Sequence, residues 1–354
     1  MESNDIELRD LDREGGEWLR GAGPRSEIVI SSRVRLARNL AGFPFLSRAT
    51  EDQRREILNR TRGPLEDLSL KTRSFYVDMD RASDVLSAFL VERHLISGGL
   101  LKGRGPRGVV FGSDEVVSVM VNEEDHVRIQ AIQSSLSLTE TFEVARAVDL
   151  ELEQQLEFAA SADFGYLTAC PTNVGTGMRA SVMLHLPAMV LMKQIEKLFH
   201  AAKSTSLAVR GFYGEGTVAS GDLYQISNQV TLGVTEEEVL QSLDQILPTI
   251  LDYERTCREE LVSDRHRLKV KDRCHRALAT LRAARILSSE DAMESLSSIR
   301  LGIVTGILSG VDLPQVNELF VLTQPAHIQK RRNANLGPNE RDAERAQFVR
   351  ERLS

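Results

Sequence analysis

Only three cysteines, Cys170, Cys257 and Cys274, stand among 354 residues, and none falls in a CxxC spacing. An odd, scattered set supports neither a disulfide framework nor a zinc site, and at least one is expected to be a free thiol. Nowhere do about 18 uninterrupted apolar residues occur, so a membrane-spanning helix is not expected. The first 20 residues carry seven acids and no apolar run, which argues against a secretory leader and for a cytoplasmic protein. Positive charge is also in deficit. A net charge of -7 and a pI near 5.7 exclude a surface that attracts nucleic acid or anionic membrane as a whole, so any anion site must be local. No GxxxxGK[ST] phosphate loop is present. The GxGxxG at Gly103 to Gly108 contains Pro106 and precedes a strand pattern instead of joining strand to helix, so a Rossmann site is rejected. Internal repeats and low-complexity tracts are absent as well.

What is present suffices for a packed core, with 42% hydrophobic residues. Gly21 to Pro24 reads as a linker closing a segment 1–23, and Glu27 to Ser32 has the β-branched run of a strand. Thr50 with Gln53 makes a capping-box signature, and residues 80–95 repeat apolar positions at helical spacing. Short β-rich pieces at 109–111, 116–121 and 126–132 predict an antiparallel meander. A helix over 138–160, a strand at 166–169, a glycine-rich loop, a helix near 189–202 and strands at 207–212 and 224–232 follow. Thr235 and Glu238 supply another capping box, after which nearly everything reads as helix. The fold class is α+β: an antiparallel sheet flanked by helices over 24–255, then an all-α region over 256–354.

Glu123, Glu124 and Asp125, followed by His126 and Arg128, are an unusual way to leave a strand. A solvated turn is the plainer reading. Strand alternation, however, lets His126 and Arg128 project with the acids toward one surface, and a carboxylate beside cations keeps its charge and can serve as a base. Arginine recurs at Arg33 and Arg35, at Arg179, at Arg210, and at Arg341 and Arg345; so many guanidinium groups point to a polyanion such as a nucleoside triphosphate. Without a phosphate loop, side chains would have to replace backbone amides as the cradle. The loop from Cys170 to Gly177 is either a simple turn or a functional loop that sets Cys170 among cations favouring its thiolate. Arg210 and Glu215 bracket Gly211 to Gly214, which is a flap pattern or, more plainly, a hairpin tip. Arg341 and Arg345 lie four apart, so on a helix they share a face and could grip a phosphate jointly; a salt-bridged helix is the plainer alternative. Lys330 to Arg332 is too short to imply nucleic-acid binding. His94, ending a helix, reads as a cap or core histidine.

Six motifs then fall in order: SSRVR from Ser31, NEEDHVR from Asn122, CPTNVGTG from Cys170, RASVM from Arg179, RGFYGEG from Arg210 and the segment Asp222 to Asn228. Together they resemble the catalytic domain of the phosphagen (guanidino) kinases. The first motif falls at residue 31 with no helical domain ahead of it, and a helical C-terminal region carries RDAERA; with these features the chain resembles the bacterial protein-arginine kinases of that superfamily. The resemblance implies ATP-dependent phosphorylation of arginine side chains in proteins, with ATP and Mg²⁺ required. It assigns Glu124 as the base, Glu215 as a second carboxylate clamp and Cys170 as the reactive cysteine. ATP would be bound by Ser31, Ser32, Arg33, Val34, Arg35, His94, Arg128, Arg179, Ala180, Ser181, Val182 and Met183, and by Arg210, Gly211, Phe212, Tyr213, Gly214 and Glu215. An allosteric phosphoarginine pocket would fall on Arg341, Asp342, Ala343, Glu344, Arg345 and Ala346, and no residue is assigned to a metal. The resemblance further implies a homodimer that works with an activator protein, a stress-response repressor and a degradation machine, without membrane or direct nucleic-acid binding. Two alternatives stand beside it. A small-molecule guanidino kinase is disfavoured by the helical extension, and a noncatalytic phosphoarginine-binding adaptor by the intact Glu124, Glu215 and arginines.

Overall fold

The computed structural model describes residues 15–205, 207–211 and 219–354. Its centre is an eight-stranded sheet whose neighbouring strands all pair antiparallel. In chain order the strands are β1 (Val29–Arg38), β2 (Ser74–Asp78), β3 (Gly108–Gly112), β4 (Val117–Val121), β5 (Val127–Ser134), β8 (Met178–His185), β9 (Leu207–Gly211) and β10 (Leu223–Asn228); a separate two-stranded piece joins β6 (Ala160–Ser161) to β7 (Gly165–Tyr166). The spatial order is β2-β3-β4-β5-β1-β8-β10-β9, which puts β1 between β5 and β8.

Because side chains alternate along a strand, register decides which residues share a face. Val34 and Leu36 of β1 align with Ala131 and Ile129 of β5, and Val34 with Ala180 of β8. These residues, with Val182 and Ile226, are essentially inaccessible and form one layer. The helix α4 (Leu138–Glu153) covers that layer with Leu138, Phe142, Ala145 and Leu152. Arg38 has the same parity and reaches the same side, where its guanidinium chelates Asp149 of α4 and lies 3.5 Å over the Tyr166 ring.

The opposite face is covered in part: at its β2–β4 end by two helices, and at the His185 end of β8 by the C-terminal region, where the buried His185 ring meets Arg300, Ser297 and Phe320. Phe75, Val77, Val109, Phe111 and Met120 of β2, β3 and β4 pack against Leu86, Phe89 and Leu90 of α2 (Asp84–Glu92) and Leu100 of α3 (Gly98–Lys102). That cover stops at His94, a residue in the left-handed conformation (φ 60) just past α2, whose carbonyl accepts a hydrogen bond from Gln130 of β5. Beyond it, toward β9, the face carries polar side chains.

Both expected capping boxes form. Thr50 and Gln53 start α1 (Glu51–Glu66), and Thr235 and Glu238 start α7 (Glu236–Val262). The meander appears as β3, β4 and β5. Other boundaries differ from expectation. α4 ends at Glu153 instead of 160, because the following chain turns to pair with the loop after β1, Ala159 N–H to Asn39 O. The strand expected at 166–169 shrinks to Gly165–Tyr166, and the one expected to reach 232 ends at Asn228, whose amide donates to Met178 O and Val230 O. The segment around RASVM, not anticipated as regular structure, is the interior strand β8.

The helix expected near 189–202 is split in two: α5 (Pro187–Leu191) and α6 (Ile195–Ser204). After α7 come α8 (Arg267–Ala283), α9 (Ser289–Val304), α10 (Leu313–Leu322), α11 (Pro325–Arg332) and α12 (Pro338–Leu353). Residue 255 lies inside α7, and buried residues from Trp18 to Leu353 join in one continuous hydrophobic core. Buried arginines bridge the two regions. Arg300 of α9 donates to Ser26 O, Glu27 O, Asn317 Oδ1 and the His185 ring, while Arg258 of α7 pairs with Glu254 and donates to Glu27 O and His185 O.

Candidate active site

Arg33 and Arg35 on β1, Arg128 on β5, Arg179 on β8 and Arg210 on β9 all have the parity of the face opposite the α4 layer. Arg35 lies directly across from Arg179, Arg128 across from Ala37, and Arg210 across from Gln225 of β10. Polar neighbours orient two of them: Arg33 donates to Gln225 Oε1 at 2.9 Å and Arg179 to Ser227 Oγ at 3.0 Å. Gln225 and Ser227 lie in the Asp222–Asn228 motif but were assigned no role from sequence; their place on the arginines' side of the sheet supplies it.

Among the described residues, Arg33, Arg35 and Arg179 form no ion pair, and the Nε atoms of Arg35 and Arg179 are buried without a hydrogen-bond partner. Burial, then repulsion from Arg179 and Arg128, pulls the Arg33 guanidinium down to about 10. Arg35 is lowered by burial and by Arg33, Arg128 and Arg179, and Arg179 by burial, Arg210 and Arg128. Cations gathered against their own repulsion, with donors unspent, make a site for a polyanion. His94 adjoins them. Burial and the charges of Arg33 and Arg35 hold its ring down at about 3, so it is neutral, and Trp18 packs edge-on against it at 5.2 Å.

Acid chemistry enters at the β4–β5 turn. Asn122 takes a left-handed conformation (φ 59), and the turn presents Glu123 and Glu124 to Arg128, whose guanidinium contacts Glu123 at 2.7 Å and Glu124 at 2.9 Å. Glu123 is nearly buried and accepts from Ser97 Oγ; the Glu124 side chain is 47% exposed and open to a substrate.

The other two members of the cluster point away from this surface, contrary to the alternation argument. Asp125 is fully buried, its Oδ1 accepting from Asn39 Nδ2 and Ala169 N–H at 2.7 Å each. His126 is buried too, its ring bridging Leu40 N–H and Pro44 O. The reason is that β5 begins only at Val127, so alternation does not extend back through His126, and two loop backbone groups need partners there. Asp125 nonetheless has a consequence for the site. It ties the Glu124 turn to Ala169 and so to Cys170, a free and partly exposed thiol 3.0 Å from Thr172 Oγ1.

The remaining expected positions divide by geometry. Ser31, Ser181 and Met183 share the arginine face, whereas the side chains of Val34, Ala180 and Val182 point into the helix layer, and Ser32 turns inward to Ser135 O and Ser137 N–H. Gly211 ends β9. Phe212, Tyr213, Gly214 and Glu215 lie outside the described residues. Far from this face, Arg341, Asp342, Ala343, Glu344, Arg345 and Ala346 sit on α12, but Arg341 and Arg345 do not make a joint grip. Arg345 is buried and committed to Thr323 O, Leu287 O and Asp342, while Arg341 donates to Leu336 O and Glu344 pairs with Arg332. Four-residue spacing set a common side of the helix; packing turned that side partly inward. Among the described residues no cluster of three or more metal-ligating side chains occurs, and no helix is long and apolar enough to cross a membrane.

The family model "ATP:guanido phosphotransferase, C-terminal catalytic domain" matches residues 56–257, and "Protein-arginine kinase McsB C-terminal domain" matches residues 267–354. A protein-arginine kinase from Symbiobacterium thermophilum is 45% identical over 97% of this chain and 98% of its own length, and one from Halothermothrix orenii is 43% identical over 99% and 100%. Among solved structures, a lombricine kinase superposes with a TM-score of 0.59 at 25% identity, covering 69% of this chain and 71% of that one. A duplicated taurocyamine kinase from Schistosoma mansoni with bound transition-state-analogue components gives 0.61 at 28% identity, covering 69% and 34%. With such similarity over nearly its full length, the chain belongs to the protein-arginine kinase family of the ATP:guanido phosphotransferases.

Proposed function

We propose that this chain transfers the γ-phosphoryl group of ATP to arginine side chains of proteins, with Arg33, Arg35, Arg128, Arg179 and Arg210 holding the phosphates and Glu124 acting as the base. The observation that carries this reading is the run of five guanidiniums on one face of the sheet, bordered by a half-exposed carboxylate. An arginine acceptor has a pKa above about 12 and is a poor nucleophile until it loses a proton. Glu124 removes that proton as the nitrogen attacks the γ-phosphorus, the P–O bond to ADP breaks, and the guanidiniums neutralise charge on the phosphoryl oxygens. Arg128 links the two functions, since it contacts Glu124 and sits among the phosphate-binding arginines. On the family resemblance, Glu215 serves as a second carboxylate clamp on the acceptor and Cys170 as the reactive cysteine.

Mg²⁺ fits as a companion of the nucleotide. With no carboxylate cage among the described residues, its ligands would be phosphate oxygens and water, and it would supply further charge neutralisation there. On the family resemblance, the reading extends to a cytoplasmic homodimer acting in stress response with an activator, a repressor and a degradation machine. Phosphoarginine would be sensed through Arg341 to Ala346, and binding there requires Arg345 to exchange its present carbonyl partners.

The test is to incubate the protein with Mg-ATP and either an unfolded protein or free arginine, followed by mass spectrometry that preserves acid-labile P–N bonds. Phosphoarginine on the protein is the expected product. Rapid turnover of free arginine with an unmodified protein would instead assign a small-guanidino kinase.

A further inference from the structure

The helix α8 carries charge of the opposite sign to the rest of the chain. Between Arg265 and Arg285 eight lysines and arginines stand against one acid, Asp272, in a molecule whose net charge is -7. Lys269, Arg273 and Arg276 follow one another at the four- and three-residue spacing that brings helical side chains into line, and they border a groove of about 610 Å³. Its other walls come from Leu191 and Met192 at the end of α5, Leu261 at the end of α7, and Glu294 and Ser298 of α9. Arg273 is anchored across the groove, its Nε donating to Ser298 Oγ at 3.0 Å, while its terminal nitrogens make no hydrogen bond or ion pair among the described residues. Lys269 has no ion-pair partner among them either. Arg276 meets Asp272 only at 3.7 Å, with both side chains more than half exposed, a pairing worth little in water. Glu294 is the groove's one other acid. Leu191 and Met192 are half-buried, so an apolar wall adjoins a cationic one.

An acid-rich molecule repels acidic partners over most of its surface, so the α8 face is where such a partner is steered and held. Lys269 to Arg276 spans about 10 Å at about 1.5 Å per residue, longer than one phosphate bridges and suited to carboxylates strung along a chain. Single-stranded nucleic acid binds through aromatic platforms, and no Phe, Tyr or Trp lines the groove. Leu191 and Met192 match an aliphatic side chain instead. We infer that this groove binds an acidic polypeptide segment of a partner protein, with carboxylates on Lys269, Arg273 and Arg276 and an aliphatic side chain against Leu191 and Met192. Such binding needs neither ATP nor phosphoryl transfer and is independent of the kinase reading above.

The experiment measures fluorescence anisotropy of short labelled peptides with the full chain: one of glutamate and leucine, one with glutamine for each glutamate, and one with serine for each leucine. The wild type should bind the glutamate-leucine peptide about tenfold or more tightly than either of the others, and raised salt should weaken that binding. Lys269→Glu/Arg273→Glu should lose affinity by about tenfold or more with an unchanged melting curve. Lys269→Glu alone, at an exposed position outside the core, should lose part of it, which decides the matter if the double variant is unstable. Arg55→Glu/Arg60→Glu, which reverses two exposed charges on α1, should bind as wild type does. Wild type that fails to bind, or a Lys269 variant that binds as tightly as wild type, overturns the inference. Equal loss in the α1 variant overturns it too, leaving general charge attraction. Displacement of the peptide by polyuridylate or by inorganic phosphate would assign the groove to nucleic acid or to a small anion. Loss of self-association in sedimentation as the only change would give it to a second copy of the chain, and each of these results also removes the peptide site.

Discussion

Arg35 occupies a position where a guanidinium is poorly tolerated without a ligand: partly buried, facing Arg179, and repelled by Arg33 and Arg128. Replacing it by an apolar residue of similar length should therefore help the empty fold while harming function. Arg35→Met is expected to raise ligand-free stability by about 1 kcal/mol and to abolish the stabilisation that ATP gives, both read by thermal melts with and without nucleotide. Glu124→Gln removes the proposed base but keeps shape, so phosphorylation should fall by about 100-fold or more while nucleotide affinity stays as in wild type. His94 gives a pH signature. Its ring titrates near 3 in the fold against about 6.5 unfolded, so only the unfolded chain takes up the proton as pH falls below 6.5. Stability is full above that pH and declines toward 3. By pH 5 the loss reaches about 2 kcal/mol, at about 1.4 kcal/mol per unit. Denaturant titrations at pH 7 and pH 5 should show that much less acid sensitivity in His94→Gln. At this scale the five arginines were singled out by their motifs, and alternation explains the common side on which the structure places them. His126 was not legible, because its role depends on Leu40 N–H and Pro44 O, groups that no local pattern reveals.

Among elements, those that announce their ends in sequence were found and those defined by surroundings were missed. Thr50 with Gln53 and Thr235 with Glu238 carry their own start signals, and both helices begin there. Thr235→Ala should cost about 1 kcal/mol by freeing the first turn of α7, measured by denaturant unfolding, with kcat unchanged. β8 carries no such signal. It lies between β1 and β10 with both faces covered over most of its length, so its burial is nearly continuous instead of alternating, and its methionine, alanine and leucine are helix formers as readily as strand formers. The end of α4 was likewise set by a tertiary pairing, Ala159 with Asn39, that begins far away in the chain.

For the whole molecule, the helices after 255 are not an independent weight attached to the sheet. Arg258 and Arg300 hold the entrance to β1 by the carbonyls of Ser26 and Glu27, and the hydrophobic core runs through both regions. A chain ending at residue 255 should fail to show a cooperative unfolding transition by circular dichroism. Arg300→Ala, which strands buried carbonyls and Asn317, should lose roughly 3 kcal/mol. Sequence indicated a helical region here but not its attachment, since the arginines that make it look like ordinary charges of a solvated helix.

The shared side of the arginine rank makes the protein sensitive to whether a change of length is odd or even. One residue added inside β8 ahead of Arg179 would send that side chain into the α4 layer and bring an aliphatic neighbour to the arginine face, whereas two would restore the original order. Natural variation in length should accordingly gather in the connections between strands and spare their interiors.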